Sequence, residues 1–460
     1  WAESKSPFDA SLDFPEWWER DLESMVAKDV NHPSVVFYSI GNEIPETGRP
    51  HGSRLGRLLA EKVRALDPTR FTTNSINGLV SVIRELPPMG DVNDAMADMG
   101  TAMTELVSSD LVTERTEESF AAVDAAGFNY GDGRYGSDAT AFPNRVIIGT
   151  ETFSTRIDLA WPLVLEHDHV IGDFTWTGWD YLGEAGIGRV DHVEPGGGFG
   201  GTSGPYPWRL AWCGDLDITG FRRPASYFRE IVFGLRSAPY IAVQRPRADG
   251  LVPAGGPWSW TDTVASWSWS GSVESGTPMA VEVYSDADEV ELRCNGRVVG
   301  RAPAGPAHRY RAEFEVPFEP GELVAIASAA DGAETGRETL RSTTGAVILR
   351  AKAERSDIRA ALDDLAYVGI ELTDDAGIVW PDRDLEIAVE VDGPGELLGL
   401  GSARPDTTES YLGTRCRMFE GRAQAVVRPT GAAGDIRVTV RADGHEPKVV
   451  VVRASEPMVE

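Results

Sequence analysis

Two glutamates stand out by where they sit. Glu43 closes the run His32-Pro33-Ser34-Val35-Val36-Phe37-Tyr38-Ser39-Ile40-Gly41-Asn42-Glu43, and Glu151 closes Arg145-Val146-Ile147-Ile148-Gly149-Thr150-Glu151. Each run is apolar, of strand length, and ends abruptly on a carboxylate. A short continuous apolar run suits a strand buried on both faces, as in a parallel sheet. Carboxylates at the C-terminal ends of such strands lie where (β/α) barrels keep their chemistry. A pair of them meets the demands of glycosidic bond cleavage, which passes through an oxocarbenium-like state. One carboxyl must be protonated, to donate to the leaving oxygen. The other must be ionised, to attack or stabilise the anomeric carbon. A separation of about 5 Å goes with retention of configuration and about 6.5–9.5 Å with inversion. Taken singly, Asn42-Glu43 reads as readily as a helix cap, and Glu151 as an exposed strand terminus. On two strands of one barrel, the paired reading is the stronger.

Other side chains gather at neighbouring strand ends. Tyr130 ends the strand between the two glutamates. Its phenol could donate to an ionised carboxylate and hold its charge, against the plainer role of a packed core tyrosine. Trp176 and Trp179 follow the last strand, where an aromatic face can stack on the C–H face of a sugar. Packing under loops explains Trp179 at least as well. Three patterns are discounted. Gly196–Gly201 lacks the Lys-Ser/Thr of a phosphate-cradling loop. Asp91-Val92-Asn93-Asp94 lacks the glycine and distal glutamate of an EF-hand. His167 and His169 stand in a polar stretch and read as surface residues. Trp258, Trp260, Trp267 and Trp269 read as a sandwich core or interface rather than a sugar-binding strip.

The elements that must position these residues alternate between helix and strand up to about residue 237, the pattern of an α/β domain. Asp13 and Pro15 start a helix with Trp18, Leu22, Met25 and Val26 on one face. A second helix, carrying Leu55, Leu58, Leu59, Val63 and Leu66, starts near Ser53 and stops at Asp67-Pro68. Phe71–Asn74, Val123–Tyr130 and Ile171–Trp176 read as further strands, and Pro87 to Glu118 as helical. After Pro239 the period becomes two. Val290–Cys294, Asn295-Gly296 and Arg297–Val299 read as a hairpin with a type I′ turn. Val368, Ile370 and Leu372 alternate with other residues, as do Ile387, Val389 and Val391, and Ile436, Val438 and Val440. Such spacing predicts two β-sandwich domains, with boundaries near 238 and 346.

Composition agrees with this class and excludes others. The 460 residues allow roughly three domains at ~150 each. A net charge of −29 argues against nucleic acid and anionic membranes as partners. Cys213, Cys294 and Cys416 are scattered, with no CxxC pair and no disulfide framework. No apolar stretch reaches the ~18–20 residues of a membrane span.

The residues now assembled resemble glycoside hydrolase family 2, which holds β-galactosidases, β-glucuronidases and β-mannosidases. Asn31-His32-Pro33-Ser34 through Ile40-Gly41-Asn42-Glu43 is similar to that family's acid/base signature. Gly127-Phe128-Asn129-Tyr130, Ile148-Gly149-Thr150-Glu151-Thr152 and Phe174-Thr175-Trp176-Thr177-Gly178-Trp179-Asp180-Tyr181-Leu182-Gly183-Glu184 resemble its later barrel strands in order. Val290-Glu291-Leu292-Arg293-Cys294-Asn295-Gly296 resembles the immunoglobulin-like domain that follows the barrel. The resemblance implies a retaining mechanism with Glu43 as general acid/base and Glu151 as nucleophile. It gives Asn42 the sugar 2-hydroxyl, Tyr130 the nucleophile, and Trp176 a wall of the sugar subsite. It implies no organic cofactor, and no metal ligand set is recognisable.

One departure accompanies the resemblance. Glu43 belongs on strand four of a (β/α)8 barrel, yet only 34 residues precede Val35. At ~30 residues or more per βα unit, that leaves room for one helix and no earlier strand. The expected architecture is a partial TIM barrel, strands four to eight (1–237), then immunoglobulin-like sandwiches over 238–345 and 346–460. A longer enzyme is expected, with this chain as its C-terminal part, inactive or poorly folded alone because one sheet edge is open. The expected activity is hydrolysis of terminal β-D-galactosides. β-Glucuronidase, β-mannosidase and a non-catalytic carbohydrate-binding protein are the alternatives. No Asn-x-Lys pair follows Glu151 to hold a sugar carboxylate. The expected partner is a β-galactoside or oligosaccharide. A homo-oligomer stays open, and the location leans to the cytoplasm.

Overall fold

The computed structural model describes residues 1–4, 9–87, 92–99, 101–247 and 249–456. The chain forms two compact units. The first comprises residues 1–177 with 200–202 and 256–259, and the second the remainder.

The first unit is built on a five-stranded sheet in sequential order, parallel throughout. Its strands are β1 (Phe37–Asn42), β2 (Phe71–Asn77), β3 (Ala125–Asn129), β4 (Ile147–Phe153) and β5 (Val170–Trp176). A parallel sheet needs helices on its connections. Those of Phe14–Asp29 and Pro50–Leu66 close on β1 around Val26, Tyr38, Ile40, Leu59, Ala60 and Val63. Ile76, Phe120, Phe128, Tyr135, Ile147 and Val170 form a second apolar cluster. Among the described residues, β1 and β5 each have one strand neighbour, as expected for a partial barrel.

Several boundaries differ from expectation, each for a local reason. Asp13 makes no side-chain cap; the first helix is started by Pro15 in its first turn. The second helix begins at Pro50, not Ser53, because Pro50 supplies the preset φ and has no N–H to satisfy. It ends at Leu66, before Asp67-Pro68, as the sequence requires. β2 runs on past Asn74 to Asn77. β4 continues through Glu151 to Phe153, because Thr152 and Phe153 are buried and pair with Thr175 and Trp176. Helices Val92–Met99, Thr101–Val107 and Asp110–Phe120 fill most of the stretch expected to be helical. Pro88–Asp91 and Gly100 lie outside the described residues, and with them part of the discounted 91–94 pattern.

The second unit is dominated by β-structure. One sheet runs Arg311–Pro317, Pro278–Tyr284, Tyr240–Gln244, Thr263–Val264. Another runs Arg297–Pro303, Glu289–Cys294, Glu322–Ser328, Glu334–Arg341. Val281, Val283, Leu292, Val316, Leu323, Trp267 and Trp269 share their core. The hairpin turn at Asn295-Gly296 has φ of 48° and 77°, the left-handed pair that a type I′ turn requires. Two further sheets cover Ile348 to Ser455, around a core holding Val368, Ile370, Leu372, Ile387, Val389, Ile436, Val438 and Val440. The period-two alternation thus put the right residues inside. No helix among the described residues is long and apolar enough to cross a membrane.

Leu292 is fully buried, whereas Leu412 is 85% exposed. Leu292→Ala is expected to lose about 2–5 kcal/mol of stability in urea unfolding. Leu412→Ala should stay within about 0.5 kcal/mol. Equal effects would contradict this core.

Candidate active site

The C-terminal ends of β1, β2, β3 and β4 bring the candidate residues together. Three of the four strand pairings are irregular where they lie. The register shifts between Ser39 and Asn42, between Phe128 and Asn129, and between Gly149 and Thr152. Such irregularities re-aim side chains, and they concentrate beside active sites. Glu43 and Tyr130 each follow directly on a strand end and take left-handed backbone, φ 50° and 54°. For residues other than glycine this conformation costs about 1–3 kcal/mol and persists only where the surroundings enforce it. The enforcement is visible: Glu43 N–H donates to the Ser75 carbonyl at 2.8 Å, and Tyr130 N–H to the Glu151 carbonyl at 2.7 Å.

Glu43 is buried at 8% exposure. Its Oε1 accepts from Asn77 Nδ2 at 2.8 Å and from Asn129 Nδ2 at 3.2 Å. Both amides are themselves oriented. Asn77 Oδ1 caps the next helix, accepting from Leu79 N–H at 3.0 Å, which turns its NH2 towards Glu43. Asn129 Oδ1 accepts from the Thr150 hydroxyl at 2.7 Å. Asn129 Nδ2 also reaches Asn42 Oδ1 at 3.1 Å, so Asn42 and Glu43 share one donor.

Asn129 pairs in register with Glu151, and Tyr130 follows it. The Tyr130 hydroxyl donates to the Glu151 carboxylate and accepts from Trp258 Nε1–H at 2.9 Å. Phe153 stacks on the Tyr130 ring at 4.4 Å, with Trp258 edge-on to both. Burial first, then the charges of Glu151 and Glu43, push the Tyr130 phenol well above the usual tyrosine range. The phenol is therefore a permanent donor, and both carboxylates act on it. Trp176, half-buried, ends β5 and pairs with Phe153. Trp179 belongs to the second unit and is 56% exposed.

Glu43, Asn42, Tyr130 and Glu151 thus meet in one network, with Trp176 one strand over. Sequence reasoning missed four participants. Asn77 lay beyond the expected end of β2; the Gly-Leu-Val that follows it is a helix start it could have been read as capping. Asn129 and Thr150 were quoted within motifs but given no role. Trp258 was assigned to a sandwich. It packs instead in the first unit on Tyr130 and Phe153, a contact between residues 128 positions apart that local pattern cannot reveal.

Several stretches of the chain match known families. Residues 8–109 match the family model "Glycosyl hydrolases family 2, TIM barrel domain" and residues 349–451 match "Glycoside hydrolase family 2 C-terminal domain 5". Residues 276–336 match a domain of unknown function. A solved glycosyl hydrolase family 2 member from Bacteroides cellulosilyticus superposes with a TM-score of 0.83 at 31% identity, over 99% of this chain and 54% of that one. The chain belongs to glycoside hydrolase family 2. Among curated family relatives, Beta-galactosidase BoGH2A of Bacteroides ovatus is 24% identical over 99% of this chain and 54% of its own length. A Formosa agariphila protein named as a candidate β-glucuronidase is 23% identical over 90% of this chain and 38% of its own. The chain spans about half the length of the first of these relatives. A family 2 TIM barrel region followed by C-terminal β-sandwich domains describes its architecture.

Because the Tyr130 phenol stays protonated, spectrophotometric titration from about pH 9 to about pH 11 should give the same phenolate absorbance for this family 2 chain and its Tyr130→Phe variant. A loss of one phenolate in the variant would contradict the environment described.

Proposed function

We propose that this chain carries the catalytic carboxylates of a retaining β-glycosidase acting on terminal β-D-galactosides. The observation that carries the reading is the Tyr130 hydroxyl, on which both Glu43 and Glu151 act. Glu151 is the nucleophile: it forms a covalent glycosyl-enzyme and is held by a phenol that is always a donor. Glu43 is the general acid, protonating the leaving oxygen. It then becomes the base that activates water. Asn42 binds the sugar 2-hydroxyl and Trp176 walls the subsite. Asn77 and Asn129 hold Glu43 in place.

In this reading β1 to β5 are strands four to eight of a (β/α)8 barrel. Residues 1–237, 238–345 and 346–460 are a barrel region and two immunoglobulin-like sandwiches. The three matched family spans each fall inside one of these divisions. The galactoside is favoured by the name of the Bacteroides ovatus relative and by the lack of an Asn-x-Lys pair after Glu151. β-Glucuronidase is the second reading, favoured by the name of the Formosa relative.

The test uses the protein with nitrophenyl β-D-galactoside, β-D-glucuronide and β-D-mannoside. The galactoside should be hydrolysed with retention. Glu43→Ala and Glu151→Ala should each lose roughly 10²–10⁴-fold or more. Azide should partly restore both, from opposite faces. In Glu43→Ala it attacks the glycosyl-enzyme and gives the β-azide. In Glu151→Ala it takes the place of the nucleophile and gives the α-azide. The reverse pattern would exchange the roles, and glucuronide turnover alone would replace the substrate. Asn77→Asp keeps the helix cap but sets a carboxylate against Glu43. A loss of about 10–100-fold in kcat is expected, the worth of one hydrogen bond to a charged group.

A further inference from the structure

The second unit carries a groove of about 940 Å³ that the carboxylate pair does not use. Its floor is the solvent face of the sheet in which Ile348–Ala353 is the edge strand, followed by Ala366–Thr373 and Arg422–Pro429. The edge strand gives it a length of about 20 Å. Along the register, Lys352 lies opposite Gly369, and Gly369 opposite Gln424. Gly369 sits in mid-strand, where glycine weakens a sheet. A Cβ there would meet nothing closer than the Lys352 carbonyl at 3.9 Å. Packing does not call for this glycine, and the bare backbone leaves room for a ligand to approach closely.

Two aromatic rings border the bare spot, Tyr367 at 37% exposure and Phe221 at 40%. The Arg422 guanidinium covers one face of Phe221 at 3.9 Å. Gln424 is fixed by donating to the Thr219 carbonyl at 2.9 Å. The charge is unlike that of the chain. Arg350, Lys352, Arg422 and Lys448 line the groove against Glu354 and Glu371, in a protein of net charge −29. Arg350 is tied to Thr373 and to backbone carbonyls, and Arg422 to Glu371 at 3.3 Å. Lys352 and Lys448, two of only five lysines in the sequence, have no hydrogen bond or ion pair among the described residues. Two unpaired ammoniums beside stacking rings and a bare strand complement a sugar chain bearing carboxylates. Repulsion from the distant acidic surface is screened beyond about 8 Å at physiological salt.

We infer that this groove is a binding site for a short acidic oligosaccharide, its uronate carboxylates on Lys352 and Lys448 and its sugar faces on Tyr367 and Phe221. The inference does not rest on the catalytic reading. Calorimetric titration of the whole 460-residue chain with tetragalacturonate tests it, with neutral galactotetraose as the reference. Tetragalacturonate should bind, and galactotetraose about tenfold more weakly or less. The Lys352→Gln/Lys448→Gln and Tyr367→Ala variants should each lose about tenfold, with unfolding midpoints and glycosidase activity unchanged. No binding by the parent chain would overturn the proposal, as would binding insensitive to these substitutions or equal for the two tetrasaccharides. Self-association that the same variants abolish would give the groove to a second copy, and would also overturn it.

Discussion

In the proposed mechanism two carboxylates share one substrate, and when both are ionised they repel each other. Any pair held some 5 Å apart does so by about 3 kcal/mol at an effective dielectric near 20. Neutral donors serve both carboxylates. The Tyr130 hydroxyl serves Glu151, and the amides of Asn77 and Asn129 serve Glu43. A lysine or arginine between the glutamates would relieve the repulsion more strongly, but would hold both ionised, and an acid must carry a proton. Donors without charge orient the carboxyl groups without forcing that outcome. Burial of the phenol keeps it a donor, so the arrangement survives across the pH range in which such chemistry runs.

The rest of the first unit can be understood as support for these few bonds. Asn77 is immobilised by capping a helix, Asn129 by the Thr150 hydroxyl, and Tyr130 by Trp258 and Phe153. The register breaks at Asn42, Asn129 and Glu151 interrupt three strand pairings at the same end of the sheet. Together with the left-handed Glu43 and Tyr130, they are local departures from ideal structure that the packed strands beneath hold in place.

The sequence was most legible where one local rule dominates. Apolar runs located the parallel strands, and alternation located the sandwich cores down to Val368, Ile370 and Leu372. Asn295-Gly296 declared its turn because few other residue pairs tolerate two positive φ angles. Glu43, Glu151 and Tyr130 were legible from their places at the ends of apolar runs. What failed was what depends on distant partners. Ser75-Ile76-Asn77 carries little strand propensity, and tertiary pairing extends β2 through it. Glu151 looked like a strand end because the run of apolar residues stops there, whereas burial of Thr152 and Phe153 carries the strand further. Trp258 is surrounded in sequence by residues of the second unit and works in the first.

The most direct measurement traps the covalent intermediate. A 2-deoxy-2-fluoro-β-galactosyl fluoride slows both chemical steps by destabilising the oxocarbenium-like state, while its good leaving group favours the first. The sugar should therefore accumulate on the nucleophile. Peptide mass mapping of the inactivated protein should find one fluorogalactosyl ester, on Glu151, and none in the Tyr130 or Glu43 peptides. An adduct on Glu43, or slow turnover with inversion and no adduct at all, would contradict the assignment of Glu151 as nucleophile.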